Sequence, residues 1–182
     1  PLLFISRIKI FKGFKIVPYC PRCGTALSSH EVAQGYKNVT EKSIFVKFKR
    51  ANCEGEYFLA WTTTPWTLPS NVALCMNPKE DYSEIKAEDG STYILADALV
   101  PSLFENYEKI SVKKGIEYEG AEYEPLFDYA KGTFKEKAYY VVCDGYVTLT
   151  DGSGIVHIAP AFGEDDANVG RRYNLPFVKL VD

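Results

Sequence analysis

Three consecutive carboxylates, Glu164, Asp165 and Asp166, follow His157 in the stretch Gly152-Ser153-Gly154-Ile155-Val156-His157-Ile158-Ala159-Pro160-Ala161-Phe162-Gly163-Glu164-Asp165-Asp166. A carboxylate can hold a cation or move a proton, and an imidazole titrates near neutrality and can give or take one. A second stretch, Trp61-Thr62-Thr63-Thr64-Pro65-Trp66-Thr67-Leu68-Pro69-Ser70-Asn71, puts four threonine hydroxyls, two indoles and an amide close together. Apolar walls with a few oriented polar groups make up the vocabulary of a small-molecule pocket. Both stretches also suit plain structural roles. Acids in a first helical turn are favoured by the macrodipole and free N–H groups, a strand histidine can be a satisfied core residue, and threonines favour strands.

Positioning these groups requires a strand, a turn and a helix in succession. Ile155, His157 and Ala159 share one side of a strand because side chains alternate, and Pro160 ends the ladder. A turn at Phe162-Gly163 precedes a predicted helix from Glu164 to Tyr173, which carries the acids in its first turn. Other strands are predicted at 43–50, where Ile44, Val46 and Phe48 alternate with Lys47 and Lys49, and at 56–62, 72–76 and 138–143. Residues 82–87 and 91–96 flank Glu88-Asp89-Gly90, an Asp-Gly hairpin signal. Tyr146 to Leu149 is expected to pair with the strand before it, and Asp97 to cap a short helix through about Phe104. Residues 105–137 are punctuated by Gly115, Gly120, Pro125 and Gly132 and suggest short strands and loops. Many short strands with few helices give a fold class of mainly β (α+β), a β-barrel core with short peripheral helices.

Composition narrows the function classes. The chain has 182 residues, 46% hydrophobic and 14% aromatic, enough for a proper core. No apolar run approaches the roughly 18 residues of a membrane span, so no membrane partner is expected. Five scattered cysteines, an odd number, point to reduced thiols and a cytoplasmic setting rather than a disulfide framework. The net charge of −3 gives no bulk attraction to nucleic acid, yet residues 1–60 carry ten Lys and Arg against four acids, which allows a local phosphate-facing patch or simply a solvated lysine face. Residues 1–19 mix basic and apolar residues as an exposed strand or connector would. Cys20-Pro21-Arg22-Cys23-Gly24 forms one Cys-x-x-Cys knuckle. A structural zinc needs four ligands, so Cys20 and Cys23 make an incomplete half-site.

The two stretches quoted above, in this order and with Pro18-Tyr19-Cys20-Pro21-Arg22-Cys23-Gly24-Thr25-Ala26-Leu27-Ser28-Ser29-His30-Glu31-Val32 ahead of them, resemble the editing domain of isoleucyl-tRNA synthetase over roughly residues 14–182. The leucine and valine enzymes usually carry Arg-Pro-Glu where this chain has Thr64-Pro65-Trp66, which points to the isoleucine member. Residues 1–35 are then a connector carrying the knuckle, and 36–182 the editing-domain β-barrel. Neither His-Ile-Gly-His nor Lys-Met-Ser-Lys-Ser occurs, so aminoacylation by these residues is not expected.

The resemblance implies a hydrolase that removes valine wrongly attached to the isoleucine tRNA, with valyl-adenylate as a further substrate, within translation fidelity. A synthetic pocket cannot reject a side chain smaller by one methylene by more than about 1–3 kcal/mol, isoleucine against valine being the established case. A second, smaller sieve is therefore needed. By the same resemblance Asp166 holds the substrate α-ammonium, and His157 limits side-chain size with a hydrogen-bonding role. Thr62, Thr63 and Thr64 surround the terminal adenosine and the attacked carbonyl, Trp66 forms part of the wall, and Thr67 and Asn71 match further editing positions. Asp166, Thr64 and His157 are thus the catalytic candidates, with Thr62, Thr63, Trp66, Thr67 and Asn71 binding substrate. With no Ser-His-Asp arrangement to acylate the enzyme, attack by an oriented water is expected. The implied partners are the tRNA(Ile) acceptor 3′ end, valine or valyl-adenylate, and the remainder of the synthetase. Editing needs no cofactor in this reading, and zinc at Cys20 and Cys23 would be completed only in the full-length protein. Two alternatives are a module that binds substrate and the tRNA 3′ end without independent turnover, and a β-barrel interaction domain whose thiols bind metal.

Overall fold

A computed structural model describes residues 15–180, so the expectations for residues 1–14 lie outside the described residues. Two compact units part after Lys37, Pro1–Lys37 and Asn38–Asp182, where the sequence puts the boundary at 35/36. In the first unit β1 (Tyr19–Cys20) and β2 (Thr25–Ala26) pair antiparallel around the knuckle, which Gly24 closes at a φ of 70° with its N–H on Cys20 O. Helix α1 (Ser29–Gln34) starts at a capping box. The Ser28 hydroxyl accepts from the Glu31 N–H while the Glu31 carboxylate accepts from the Ser28 N–H at 2.8 Å.

The second unit is built on two sheets. The larger has the order β3 (Ile44–Lys49), β4 (Glu56–Thr62), β7 (Thr92–Ala96), β6 (Asp81–Ala87), β8 (Tyr107–Lys114). The smaller has the order β10 (Ile155–Ile158), β5 (Ala73–Met76), β9 (Tyr140–Cys143). β6 and β7 form the expected antiparallel hairpin over Asp89-Gly90. β4 pairs parallel with β7 and β5 parallel with β9, connections that bring remote segments together. Phe48, Phe58, Leu74, Met76, Tyr82, Ile94, Val141 and Ile155 fill one core between the sheets. Val72, Cys75, Val142, Ile158 and Val169 pack the smaller sheet under α3 (Glu164–Tyr173). All five cysteines are free thiols, and none of the described helices is long and apolar enough to cross a membrane.

The mainly β class with short helices is the one read from the sequence. The described ladders of the second unit form two sheets and do not run on into a closed ring. Single bridges, Arg50 to Tyr123 and Glu122 to Tyr140, and the Ala96 N–H donated to Ser153 O join them instead. Three local expectations are corrected. Tyr146–Leu149 is not a strand, because β9 has β5 on one edge and residues 120–123 on the other, where the Gly120 N–H donates to Val141 O and the Val141 N–H to Ala121 O, while the Tyr146 N–H turns back to Asp144 Oδ1 and Val147 O accepts from the Asn77 side chain. Asp97 does not cap a helix. Its carboxylate is spent on Ser83 and Lys109, and the segment is a 3₁₀ turn at Asp97–Leu99 followed by α2 (Val100–Leu103). Residues 105–137 include β8, eight residues long where short strands were expected.

Gly154 shows how tightly the sheets meet. It sits at a φ of +73°, its carbonyl accepts from the Tyr82 hydroxyl at 2.7 Å, and a Cβ there would lie 2.5 Å from Ala96 Cβ. Gly154→Ala therefore meets both left-handed strain and overlap with a neighbour that cannot rotate away, and should cost about 2–4 kcal/mol in denaturant unfolding. A loss below about 0.5 kcal/mol would show that the backbone yields here.

Candidate functional site

The threonine stretch and the acidic corner converge. β4 ends at Thr62, and residues 63–64 leave the sheet before a 3₁₀ helix at Pro65–Ser70, which Pro65 starts in its first turn. β10 runs antiparallel to β5 with His157 opposite Leu74, which fixes the height of the imidazole. α3 begins after Gly163 and carries Asp166 in its first turn. Trp61, Thr62, Thr63, Thr64, Thr67, Val156, His157, Phe162, Gly163 and Asp166 line one cavity of about 270 Å³.

Hydrogen bonds stiffen the threonine wall. The Thr64 N–H donates to Thr62 Oγ1 at 3.0 Å, and the two hydroxyls lie 3.3 Å apart. Thr64 O accepts from both the Thr67 N–H and the Thr67 hydroxyl, the latter at 2.8 Å. Thr67 Oγ1 lies 3.0 Å from His157 Nε2, across ninety residues of sequence. On the opposite side, Asp166 Oδ2 accepts from the Ala159 N–H at 2.9 Å. A Cβ at Gly163 would come within 3.3 Å of the Asp166 carboxyl carbon, so glycine keeps that side of the carboxyl clear.

Burial sets the charges. Desolvation pushes the Asp166 carboxyl up to about 6, with Asp165 adding to the shift and the Ala159 N–H opposing it. His157 is 5% exposed, and burial pushes its imidazole down to about 4, so the ring is neutral at physiological pH. The site therefore pairs a neutral imidazole with a carboxyl poised to ionise near neutrality, an arrangement that suits recognition of an ammonium by Asp166.

Six of the eight residues singled out from the sequence, Thr62, Thr63, Thr64, Thr67, His157 and Asp166, are brought to the cavity. Trp66 is not in its wall. A 3₁₀ turn has three residues per revolution, and with Thr67, Leu68 and Ser70 turned inward, Trp66 points outward and is 69% exposed. Asn71 lies behind the cavity, where its amide donates to Ala73 O at 2.8 Å and accepts from the Tyr123 hydroxyl at 2.6 Å. Conversely, Trp61, Val156, Phe162 and Gly163 line the cavity without having been selected. Trp61 and the Phe162-Gly163 turn border the chosen residues directly, and that adjacency was the available signal. The Gly152 backbone packs against the Trp61 ring so closely that a Cβ there would come within 2.7 Å of it.

The knuckle is a separate feature. The Cys23 N–H points at Cys20 Sγ at 3.4 Å, and such hydrogen bonds hold the Cys20 thiol below its ordinary value. Among the described residues no group of three or more His, Cys, Asp or Glu side chains gathers that could hold a metal ion.

No family model matches the chain. It is 58% identical over 173 residues to the isoleucine–tRNA ligase of Clostridium acetobutylicum and 53% identical over 173 residues to that of Picrophilus torridus. Each match covers 95% of this chain, which spans only 16% and 17% of those relatives. Among solved structures, the editing domain of the Plasmodium knowlesi (P.knowlesi) cytosolic leucyl-tRNA synthetase superposes with a TM-score of 0.59 at 14% identity, over 78% of this chain and 66% of that one. The GlLeuRS-CP1 crystal structure gives 0.56 at 14% identity, over 75% and 66%. The chain therefore matches isoleucine–tRNA ligase sequence over nearly all of its length and carries the fold of synthetase editing domains.

Proposed function

We propose that this chain is the editing module of an isoleucyl-tRNA synthetase and hydrolyses valine misattached to tRNA(Ile), with valyl-adenylate as a second substrate. The observation that carries this reading is the half-buried Asp166 carboxyl facing three threonines across a cavity of about 270 Å³. That volume lies below the roughly 300–1,000 Å³ of pockets for drug-sized ligands and suits an amino-acid ester. The ionised Asp166 holds the α-ammonium by a charge-assisted bond and so orients the ester. The hydroxyls of Thr62, Thr63 and Thr64 receive the carbonyl and the terminal ribose, and a water held among them attacks the carbonyl carbon. The ester C–O bond breaks, and the proton of the water passes to the leaving ribose oxygen. His157 limits the side chain that can enter. Phe162 and Trp61 add apolar wall. Asn71 supports this wall from behind through Ala73 and Tyr123. The 3′ end of the tRNA and the remainder of the synthetase complete the assembly, and Cys20 and Cys23 join thiols from that remainder around a zinc ion.

Release of valine from valylated tRNA(Ile), measured beside release of isoleucine from the same tRNA, tests the reading. Selective release of valine is expected, and Asp166→Ala should lower kcat/KM about 10–100-fold, the worth of one charge-assisted hydrogen bond. Equal hydrolysis of both esters would overturn it. Inert protein that still binds valine ester analogues would favour the binding module.

The Asp166 shift also fixes two pH dependences. Since the ammonium needs the ionised form, kcat/KM corrected for spontaneous hydrolysis should rise through about pH 6. A profile flat from pH 5 to 7 would count against Asp166 as the ammonium holder. For stability, the folded pKa is raised, so the proton binds more tightly to the folded chain. The stability this contributes is present below 3.8 and lost as pH rises through about 6. Asp166→Asn keeps an oxygen for the Ala159 N–H without the buried charge. It should be more stable than the parent by about 2–3 kcal/mol above pH 6.5 in denaturant unfolding, and equal to it below pH 4.

A further inference from the structure

His157 has two ring nitrogens, and the surroundings of Thr67 decide which one carries the proton. A threonine hydroxyl has one hydrogen to give. The Thr67 hydroxyl gives its hydrogen to Thr64 O at 2.8 Å, an oxygen that can only accept. The 3.0 Å contact between Thr67 Oγ1 and His157 Nε2 must then be donated by the imidazole. The other nitrogen supports the same assignment. His157 Nδ1 is buried and has no hydrogen-bond partner among the described residues. A proton there would be an orphaned buried donor, whereas a bare lone pair is the cheaper form to leave unpaired.

We infer that Thr67 is a positioning residue that holds His157 as the neutral Nε2–H tautomer, making the ring a fixed wall of the cavity whose Nε2 has no lone pair with which to act as a base. Thr67 acts through His157 and Thr64 rather than through the substrate. It ties the 3₁₀ helix to β10, so the gap between the threonine wall and the imidazole is set by a hydrogen bond and not by side-chain packing alone. Rotating the ring would change the width of the cavity, and cavity width is what separates two aliphatic side chains differing by one methylene. The neutral state agrees with the burial that pushes the imidazole down to about 4. The consequence for selectivity rests on the function proposed above, but the tautomer does not.

The chain has two histidines, so the tautomer is directly readable. Long-range ¹H–¹⁵N correlation spectra of the labelled 182-residue chain at pH 7 would be recorded, with His30→Gln identifying the His157 signals. Expected are a pyrrole-type, proton-bearing Nε2 and a pyridine-type Nδ1 in the parent and in Thr67→Ser, which keeps the hydroxyl. Thr67→Val, which keeps the shape without it, should shift both nitrogens towards a tautomer average. An Nδ1–H tautomer in the parent, or an unchanged Nε2–H tautomer in Thr67→Val, would overturn the inference, and the parent spectrum decides even if the valine variant folds poorly. In the ester assay, Thr67→Val should reduce the valine-over-isoleucine ratio of kcat/KM about tenfold, the low end of what one methylene is worth. An unchanged ratio would overturn the role in selectivity. The assigned tautomer in a chain that hydrolyses neither ester would uphold the positioning by Thr67 and sink the functional reading instead.

Discussion

β5 is a strand of four residues, all buried, held antiparallel to β10 on one edge and parallel to β9 on the other. Because side chains alternate, a slip of one residue in the β10 pairing would turn His157 away from its present neighbours and replace it with a residue from the other face. The register is fixed by apolar burial on both sides of this strand, where Leu74 and Met76 enter one core and Ala73 and Cys75 the other. The site is thus placed by ordinary hydrophobic packing. Its polar groups refine a geometry that the sheet has already set.

The acidic corner is different, because packing there opposes the group it holds. Three acids in a first helical turn are electrostatically reasonable, but only Asp166 is drawn inward, and its burial is unfavourable to the charge that Asp165 beside it also disfavours. The single N–H from Ala159 offsets only part of that. Strain of this kind, held by a rigid strand-to-helix corner, is what a binding carboxylate needs if a cation is to gain from pairing with it. Opposite it, Thr62, Thr64 and Thr67 are already bonded to one another, so little ordering of these three remains when a ligand arrives.

Several features were legible in the sequence because local chemistry decided them. The alternation of Ile44, Val46 and Phe48, the Asp89-Gly90 turn and the helix after Gly163 each follow from period or turn chemistry acting over a few residues. What was not legible depended on remote partners. Tyr146–Leu149 has a reasonable strand composition, yet β9 takes β5 as its neighbour from more than sixty residues away. Trp66 reads as a wall residue by type, but Pro65 and Pro69 shape a 3₁₀ turn whose geometry decides which side chains face inward. Asn71 lies within the diagnostic stretch, and its partner Tyr123 comes from the least readable part of the chain. The membership of the two stretches in one site was read from resemblance, since nothing in their spacing brings them together.

The parallel pairings of β4 with β7 and β5 with β9 matter to a chain emerging from the ribosome. Each closes a long loop before any contact rewards it, so such ladders form slowly compared with the β6–β7 hairpin. β10, the turn after it and α3 follow the threonine wall by some ninety residues, yet together they supply half of the cavity lining. During synthesis the threonine wall is therefore made long before the residues that face it, and the cavity exists only once residues 155–166 have docked.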